Sequence, residues 1–463
     1  PSFMKIRLIV STIFFVVILL YILIDLSIST KKFSYFKTLV PQEIKSSIKK
    51  NIFPYGYIRE LEKRNSDLES SQNLFFYNRD LKYKNDNSEI SFAHDIKNVL
   101  INGNKIPLKK FRTRNLNTGI HDYFPGSAYI EVYQEKIFIA SPIGIIAYTN
   151  ISDLDEDKSI KFKQIRNNID KFVTQSNFEK NYWFTVKDLK IANGKIFLSY
   201  TNQVREDCWN TSVIYSKLNF DKLEFKKVFS PDENVCRYDN QDNEFHGHQS
   251  GGRIVDFDNE NIFLTIGEYR SRYLAQKNES VFGKIVKINV TNGKYSIISK
   301  GHRNPQGLFY DKKNKILLET EHGPQGGDEI NLIELNTQKV PNYGWPISSY
   351  GEHYGGKSET NKKKYKRYPL IKSHIDSGFI EPIKYFTPSI GISEITSISD
   401  DKDYVVSSMK EKSLFFFSLD DKNKIQKLDK VYIGERIRDL FFYDKKIFLF
   451  LEDTTSIGIL KLN

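Results

Sequence analysis

Six times along this chain an apolar strand, a short polar turn rich in Asp, Asn, Gly or Lys, and a strand of the type Lys-Ile-Phe-Leu follow one another. The copies are AYIEVYQEKIFIAS from Ala128, VKDLKIANGKIFLSY from Val186, GRIVDFDNENIFLTI from Gly252, QGLFYDKKNKILLET from Gln306, SEITSISDDKDYVVSS from Ser393 and IRDLFFYDKKIFLFL from Ile437. Each reads as a β-hairpin. They recur at intervals of roughly fifty to sixty residues, with a longer gap after the fourth and a shorter one after the fifth, and each interval holds one four-stranded blade. A single blade cannot bury both of its faces, whereas six stacked round an axis form a continuous core without exposed sheet edges. The expected fold class is therefore all-β, a six-bladed β-propeller. A two-sheet sandwich would need more strands than that architecture carries. The last copy leaves room for three strands only, Asp439 to Tyr443, Lys446 to Leu451 and Ser456 to Leu462. A segment within Ile90 to Leu108 is expected to supply the fourth.

The region before the repeats differs. Leu8 to Ile24 is apolar apart from Ser11 and Thr12, with Lys5 and Arg7 before it and Asp25 after it. It reads as a membrane anchor or signal within residues 1–30, and the absence of a small-x-small cleavage site favours an uncleaved anchor. The preceding cations keep the N-terminus in the cytoplasm, which puts the rest in the periplasm on an inner-membrane anchor. Residues 31–90 read as a helical stalk, with a helix start at Pro41 and helical apolar spacing at Ile58, Leu61 and Leu68. The propeller is expected over 91–463.

The chain's charge of +12 comes from Lys and Arg scattered along its whole length with no arginine stripe, which speaks against nucleic acid as a partner. Its two cysteines, Cys208 and Cys236, have no histidine at zinc-like spacing. The segment between them reads as strands Thr211 to Leu218 and Leu223 to Phe229 joined by a turn, so the cysteines fall at the open end of one hairpin. A disulfide is expected there, as suits an exported protein.

Polar and turn-forming residues are densest in GHRNPQG from Gly301, EHGPQGGDEINLI from Glu321 and NYGWP from Asn342. Their order and spacing resemble the glucose/sorbosone dehydrogenase family, which includes soluble glucose dehydrogenases and aldose sugar dehydrogenases dependent on pyrroloquinoline quinone (PQQ). HQSGGR from His248, SSMK ending at Lys410 and RIRD from Arg436 resemble the family's histidine, lysine and paired-arginine positions. The resemblance covers residues 185–463.

It implies a site with named parts. PQQ is a planar tricarboxylate carrying an ortho-quinone, so its pocket needs several cations and a Lewis acid. Arg303, Asn304, Lys410, Arg436 and Arg438 are the implied cofactor ligands, and the carbonyls of Gly323 and Pro324 the implied calcium ligands, hard oxygens of the kind calcium takes. His248 is the implied base for the C1 hydroxyl of a sugar, with His246 a second possibility. Glu268 stands where the family has an aspartate, expected to orient the histidine, and Arg303 faces the quinone. Asp328 and Glu329 either accept hydrogen bonds from loop amides or arginines, or bind a further calcium, while Tyr343 and Trp345 read as packing residues.

The sequence also departs from the family pattern. His248 lies five residues before Arg253 rather than four, and NYWFTVKDL from Asn181 stands where the enzymes carry a glutamine and a Gly-Leu-Leu segment. The function expected is oxidation of an aldose at C1 to the lactone, with electrons passed to a quinone or cytochrome acceptor. The alternative is a non-catalytic propeller that binds a glycan or a protein.

Overall fold

The computed structural model describes Phe15 and residues 54–101, 103–113, 116, 127–174, 186–335 and 337–462. Apart from Phe15, the expected anchor lies outside these residues, as does the helix start at Pro41. No helix among the described residues is long and apolar enough to cross a membrane. The chain divides into two compact units, Pro1–Gln72 and Asn73–Asn463. Within the segment expected as a helical stalk lies one long helix, α1 (Pro54–Asp86). In the second unit its Tyr77 packs into the apolar core of the first blade.

All six repeated hairpins form where the sequence places them, and each opens one blade. Blade 1 runs from Tyr129 to Gln164, blade 2 from Val186 to Phe229, blade 3 from Gly251 to Lys300, blade 4 from Pro305 to Phe386, blade 5 from Ile392 to Tyr432, and blade 6 begins at Ile437. The first strand of each blade packs on the first strands of both neighbours, blade 6 on blade 1 included, so the ring is closed. The second strands are mostly buried because both of their faces are covered; Ile196 to Tyr200 in blade 2 are all buried. Several hairpins turn through two left-handed residues, Gln134 with Glu135, Asn193 with Gly194, and Asp444 with Lys445. This geometry matches the strand twist.

Closure differs in detail from the expectation. The strand that completes blade 6 is β2 (Asn104–Arg112), paired antiparallel with Ser456–Lys461. Its hairpin partner β1 (Glu89–Ile101) pairs with β2 on one side and with Ile160–Gln164 of blade 1 on the other. Blades 6 and 1 thereby become one nine-stranded sheet. The disulfide Cys208–Cys236 forms as expected and joins registered partners of two antiparallel strands.

One guanidinium ties the inner strands together. Arg253, from blade 3, contacts Asp188 of blade 2 at 2.7 Å, Asp439 of blade 6 at 2.9 Å and Glu394 of blade 5. It also donates to the Gln306 carbonyl of blade 4 at 3.0 Å and lies 5.5 Å from the Tyr129 ring centroid of blade 1. Every blade thus meets this one side chain. Burial alone would discharge it, but Asp188, Glu394 and Asp439 hold its pKa well above the ordinary value. Three carboxylates exceed what one cation neutralises, and burial raises Asp188 to about 7 and Glu394 well above the carboxylate range.

Candidate active site

In an antiparallel hairpin the start of the first strand and the end of the second lie at the same end. The motif residues occupy these positions. His248 precedes the inner strand of blade 3, Arg303 and Asn304 precede that of blade 4, and Arg436 and Arg438 open that of blade 6. Gly323 and Pro324 follow the second strand of blade 4, and Lys410 that of blade 5. All therefore fall at one end of the axis, with the Arg253 cluster beneath them.

Arg303 is buried and heavily engaged. Its guanidinium donates to the carbonyls of His322 at 2.9 Å and Gly323 at 2.7 Å, and lies 5.4 Å from the Trp345 ring centroid. Its backbone N–H donates to Glu321. Asn304 accepts from the Gly251 N–H and the Gln306 amide. Arg436 and Arg438 converge on buried Glu452 at 3.1 and 2.6 Å. Burial alone would raise the Glu452 carboxyl, but Arg438 and Arg436 bring it below its ordinary value. Lys410 is exposed at the edge.

His248 and His246 lie together, ring nitrogens 3.1 Å apart and planes at 87°. Burial foremost, then His246, Lys187, Arg270 and Arg303, push the His248 pKa well below its ordinary value. Burial, with Arg270 and Arg303, pushes His246 down to about 4. Both rings are neutral proton acceptors at ordinary pH. Glu268 does not meet His248 directly. With its amide nitrogen turned to Glu268 at 2.8 Å, Gln249 accepts from Arg270 at 3.2 Å and from Arg303 at 3.0 Å. The expected carboxylate–histidine pair is replaced by a carboxylate–glutamine–arginine chain. Burial raises Glu268 to about 7, against Arg272, Arg303 and Arg270.

The extra residue between His248 and Arg253 has a structural reason. Gly251 and Gly252 both have positive φ and form a bulge in the blade 3 hairpin. A β-carbon on Gly252 would lie 2.4 Å from that of Lys187. The glycine pair makes room for Lys187, a site residue that motif reading missed. Burial and then Arg438 lower Lys187 to about 7. Its signal was in the repeats: VKDL from Val186 and IRDL from Ile437 share one register, with Lys187 matching Arg438 and Asp188 matching Asp439.

The calcium position is only partly as expected. The Gly323 carbonyl already accepts from Arg303, and that of Pro324 lies 3.5 Å from the Ser389 hydroxyl. A carbonyl has a second lone pair, so a cation there would share Gly323 with the guanidinium. Asp328 accepts from the N–H groups of Gly323, Gly391 and Ile392, the first of the two roles open to it. Glu329 faces His374 at 3.4 Å. Tyr343 packs as expected, its hydroxyl bonded to the Leu332 carbonyl. Trp345 also packs as expected, against Ala275 and Leu370, and in addition lines a cavity of about 120 Å³ with Arg303, Pro324, Arg270, Arg272 and Lys364.

A sequence model of the glucose/sorbosone dehydrogenases matches residues 188–461. The chain belongs to this family. Among its relatives is the aldose sugar dehydrogenase YliI of Escherichia coli K12, 28% identical over 294 residues that cover 58% of this chain and 73% of that protein. The fold is similar to a solved glucose dehydrogenase, with a TM-score of 0.59 at 20% identity, covering 73% of this chain and 96% of that one. It is also similar to the PQQ-bound aldose sugar dehydrogenase of Streptomyces coelicolor, with a TM-score of 0.52 at 16% identity over 76% of this chain and 97% of that one. The family match begins at Asp188, so it includes His248, both arginine motifs and the Gly-Pro turn.

Proposed function

We propose that this family member is a PQQ-dependent aldose dehydrogenase that oxidises a sugar at C1 to the lactone. The observation that carries the reading is the gathering of Arg303, Lys187, Arg436 and Arg438 at one end of the axis around two histidines that are neutral at ordinary pH. A planar tricarboxylate is the complement of such a donor set, and the residues fit it. Arg303, Asn304, Lys410, Arg436 and Arg438 would hold PQQ, with calcium at the Gly323 and Pro324 carbonyls. When bound, PQQ supplies the electrophilic carbon that takes up hydride from C1. A ring nitrogen of His248 accepts the proton of the C1 hydroxyl, and burial keeps that ring unprotonated and ready. Arg303 is held in place by Gln249 and the two carbonyls it donates to.

The electrons pass to a quinone or cytochrome. The Cys208–Cys236 disulfide supports an oxidising compartment, and we place the propeller in the periplasm, tethered by Leu8 to Ile24. The deciding experiment loads the full chain with PQQ and calcium, follows uptake by calorimetry and cofactor absorbance, and then assays dye reduction with a panel of aldoses. Saturable uptake with sugar-dependent reduction is the expected result. No uptake would overturn the reading in favour of a non-catalytic binding propeller.

A further inference from the structure

The cavity beside Arg303 carries more positive charge than a neutral sugar can use. Arg270 and Arg272 come from the loop after the second strand of blade 3, and Lys364 from the short helix Lys362–Arg367 in the long insertion of blade 4. All three turn toward one carboxylate. Glu244 accepts from Arg272 at 2.8 Å, pairs with Lys364, and lies 3.8 Å from Arg270. Of the other acids close by, Asp242 is engaged by Arg367, the Tyr368 hydroxyl and the Arg272 backbone N–H, and buried Glu268 is bonded to Gln249. Arg303 adds a further cation to the same wall.

Two donors at this cavity have nothing to bond. The Nε of Arg272 and the Nε1 of Trp345 are buried without a hydrogen-bond partner, and both side chains line the space. Leaving such donors unmet costs free energy that an acceptor in the cavity would recover. The backbone is also set to deliver the charge. Tyr269 and Arg270 have φ of 52° and 66°, a left-handed pair of non-glycine residues that persists only where its surroundings impose it. The result places the Arg270 guanidinium 5.5 Å from the ring centroid of Tyr354, which lines the cavity as Trp345 does. Aromatic walls suit a sugar ring, and surplus guanidinium groups suit an anion held bidentately.

We infer that the sugar oxidised here bears an acidic group, a carboxylate or a phosphate, which Arg270, Arg272 and Lys364 receive in this cavity. The inference rests on the dehydrogenase reading for its chemistry but not for its binding. The cations it invokes come from blades 3 and 4, apart from the Arg436 and Arg438 pair that Glu452 holds at blade 6. The blade 4 insertion that supplies Trp345, Tyr354 and Lys364 thereby sets specificity.

The test uses the full chain with glucose, glucuronate and glucose 6-phosphate. Calorimetry on the chain without PQQ measures binding of each sugar, and dye reduction by the PQQ-loaded chain measures kcat/KM. At least one acidic sugar is expected to bind and react at least tenfold better than glucose, with the advantage shrinking as salt rises. The two acidic sugars separate carboxylate from phosphate. Arg270→Gln and Lys364→Gln should each raise KM for the acidic sugar severalfold while PQQ affinity holds. Equal or better handling of glucose would overturn the inference. So would variants that weaken PQQ rather than the sugar, since the cavity would then serve the cofactor. If the chain takes up no PQQ, the dehydrogenase reading falls alone, and the calorimetric preference for acidic sugars still decides this one.

Discussion

The axis of this propeller has two levels with opposite electrostatics. At the inner level one guanidinium, Arg253, is ringed by Asp188, Glu394 and Asp439. At the outer level Lys187, Arg303, Arg436 and Arg438 outnumber their principal acid, Glu452. The inner level contacts all six blades and carries more acids than bases, whereas the outer one keeps neutral histidines and more basic groups than acids. One is built to hold the ring shut, the other to receive an anion. A buried charge is stable when its partners are fixed by the fold, and available when they are not.

The largest effect should follow from breaking the inner level. Arg253→Met leaves three carboxylates buried without their cation and should cost about 3–5 kcal/mol of stability, read by denaturant unfolding. A melting temperature within about two degrees of the parent would refute the contrast. The outer level should behave in the reverse way. His248→Ala should lower turnover by roughly a hundredfold with folding and PQQ uptake intact, since a positioned base contributes about that factor. Because His248 titrates well below its ordinary value, the acid limb of kcat/KM should fall below pH 6.5; a limb at or above that value would sink the role.

A smaller change is expected from Arg436→Ala. It removes one of two arginines on Glu452 and should weaken PQQ about tenfold, the loss of one charge-assisted contact, with a smaller loss of stability than Arg253→Met because Arg438 still holds Glu452. The smallest effect concerns Glu268. Its carboxyl is raised from 4.5 to about 7 by burial, so its contribution to stability is full below the unfolded pKa and is lost as pH rises through about 7. Glu268→Gln should flatten the stability profile across that window, and an unchanged slope would show that the group is ionised in the fold.

Much of the fold was legible because it repeats. Hairpins such as VKDLKIANGKIFLSY announce themselves by local alternation and turn chemistry, and all six formed in place. The window Ile90 to Leu108 stopped short of the closing strand's last residues because NKIPLKKFR, with Pro107 and three lysines, is a poor strand by propensity. Its pairing with Ser456–Lys461 at the far end of the sequence is what holds it. In the site, residues embedded in motifs were found, and isolated cations were not. Arg270 and Lys364 are two among 69 Lys and Arg, and only the folded loops reveal that they share a cavity. Trp345 read as packing, which it does against Ala275 and Leu370; that it also borders the cavity is visible only in the fold. Glu268 was assigned to the histidine by analogy of position, whereas the geometry gives it Gln249.

The Arg253 contact also bears on the order of events when the chain folds. Its partners arrive from blade 2, made before it, and from blades 5 and 6, made after it. A nascent ring with four blades would hold the guanidinium with Asp188 as its one carboxylate beside the Gln306 carbonyl, short of Glu394 and Asp439. The stabilisation comes late, when the final hairpin and β2 meet. Open solenoids can grow repeat by repeat from any start; this ring is rewarded only on completion, so its unfolding should be a single concerted transition in which the acceptor-seeking outer mouth appears and vanishes together with the last blade.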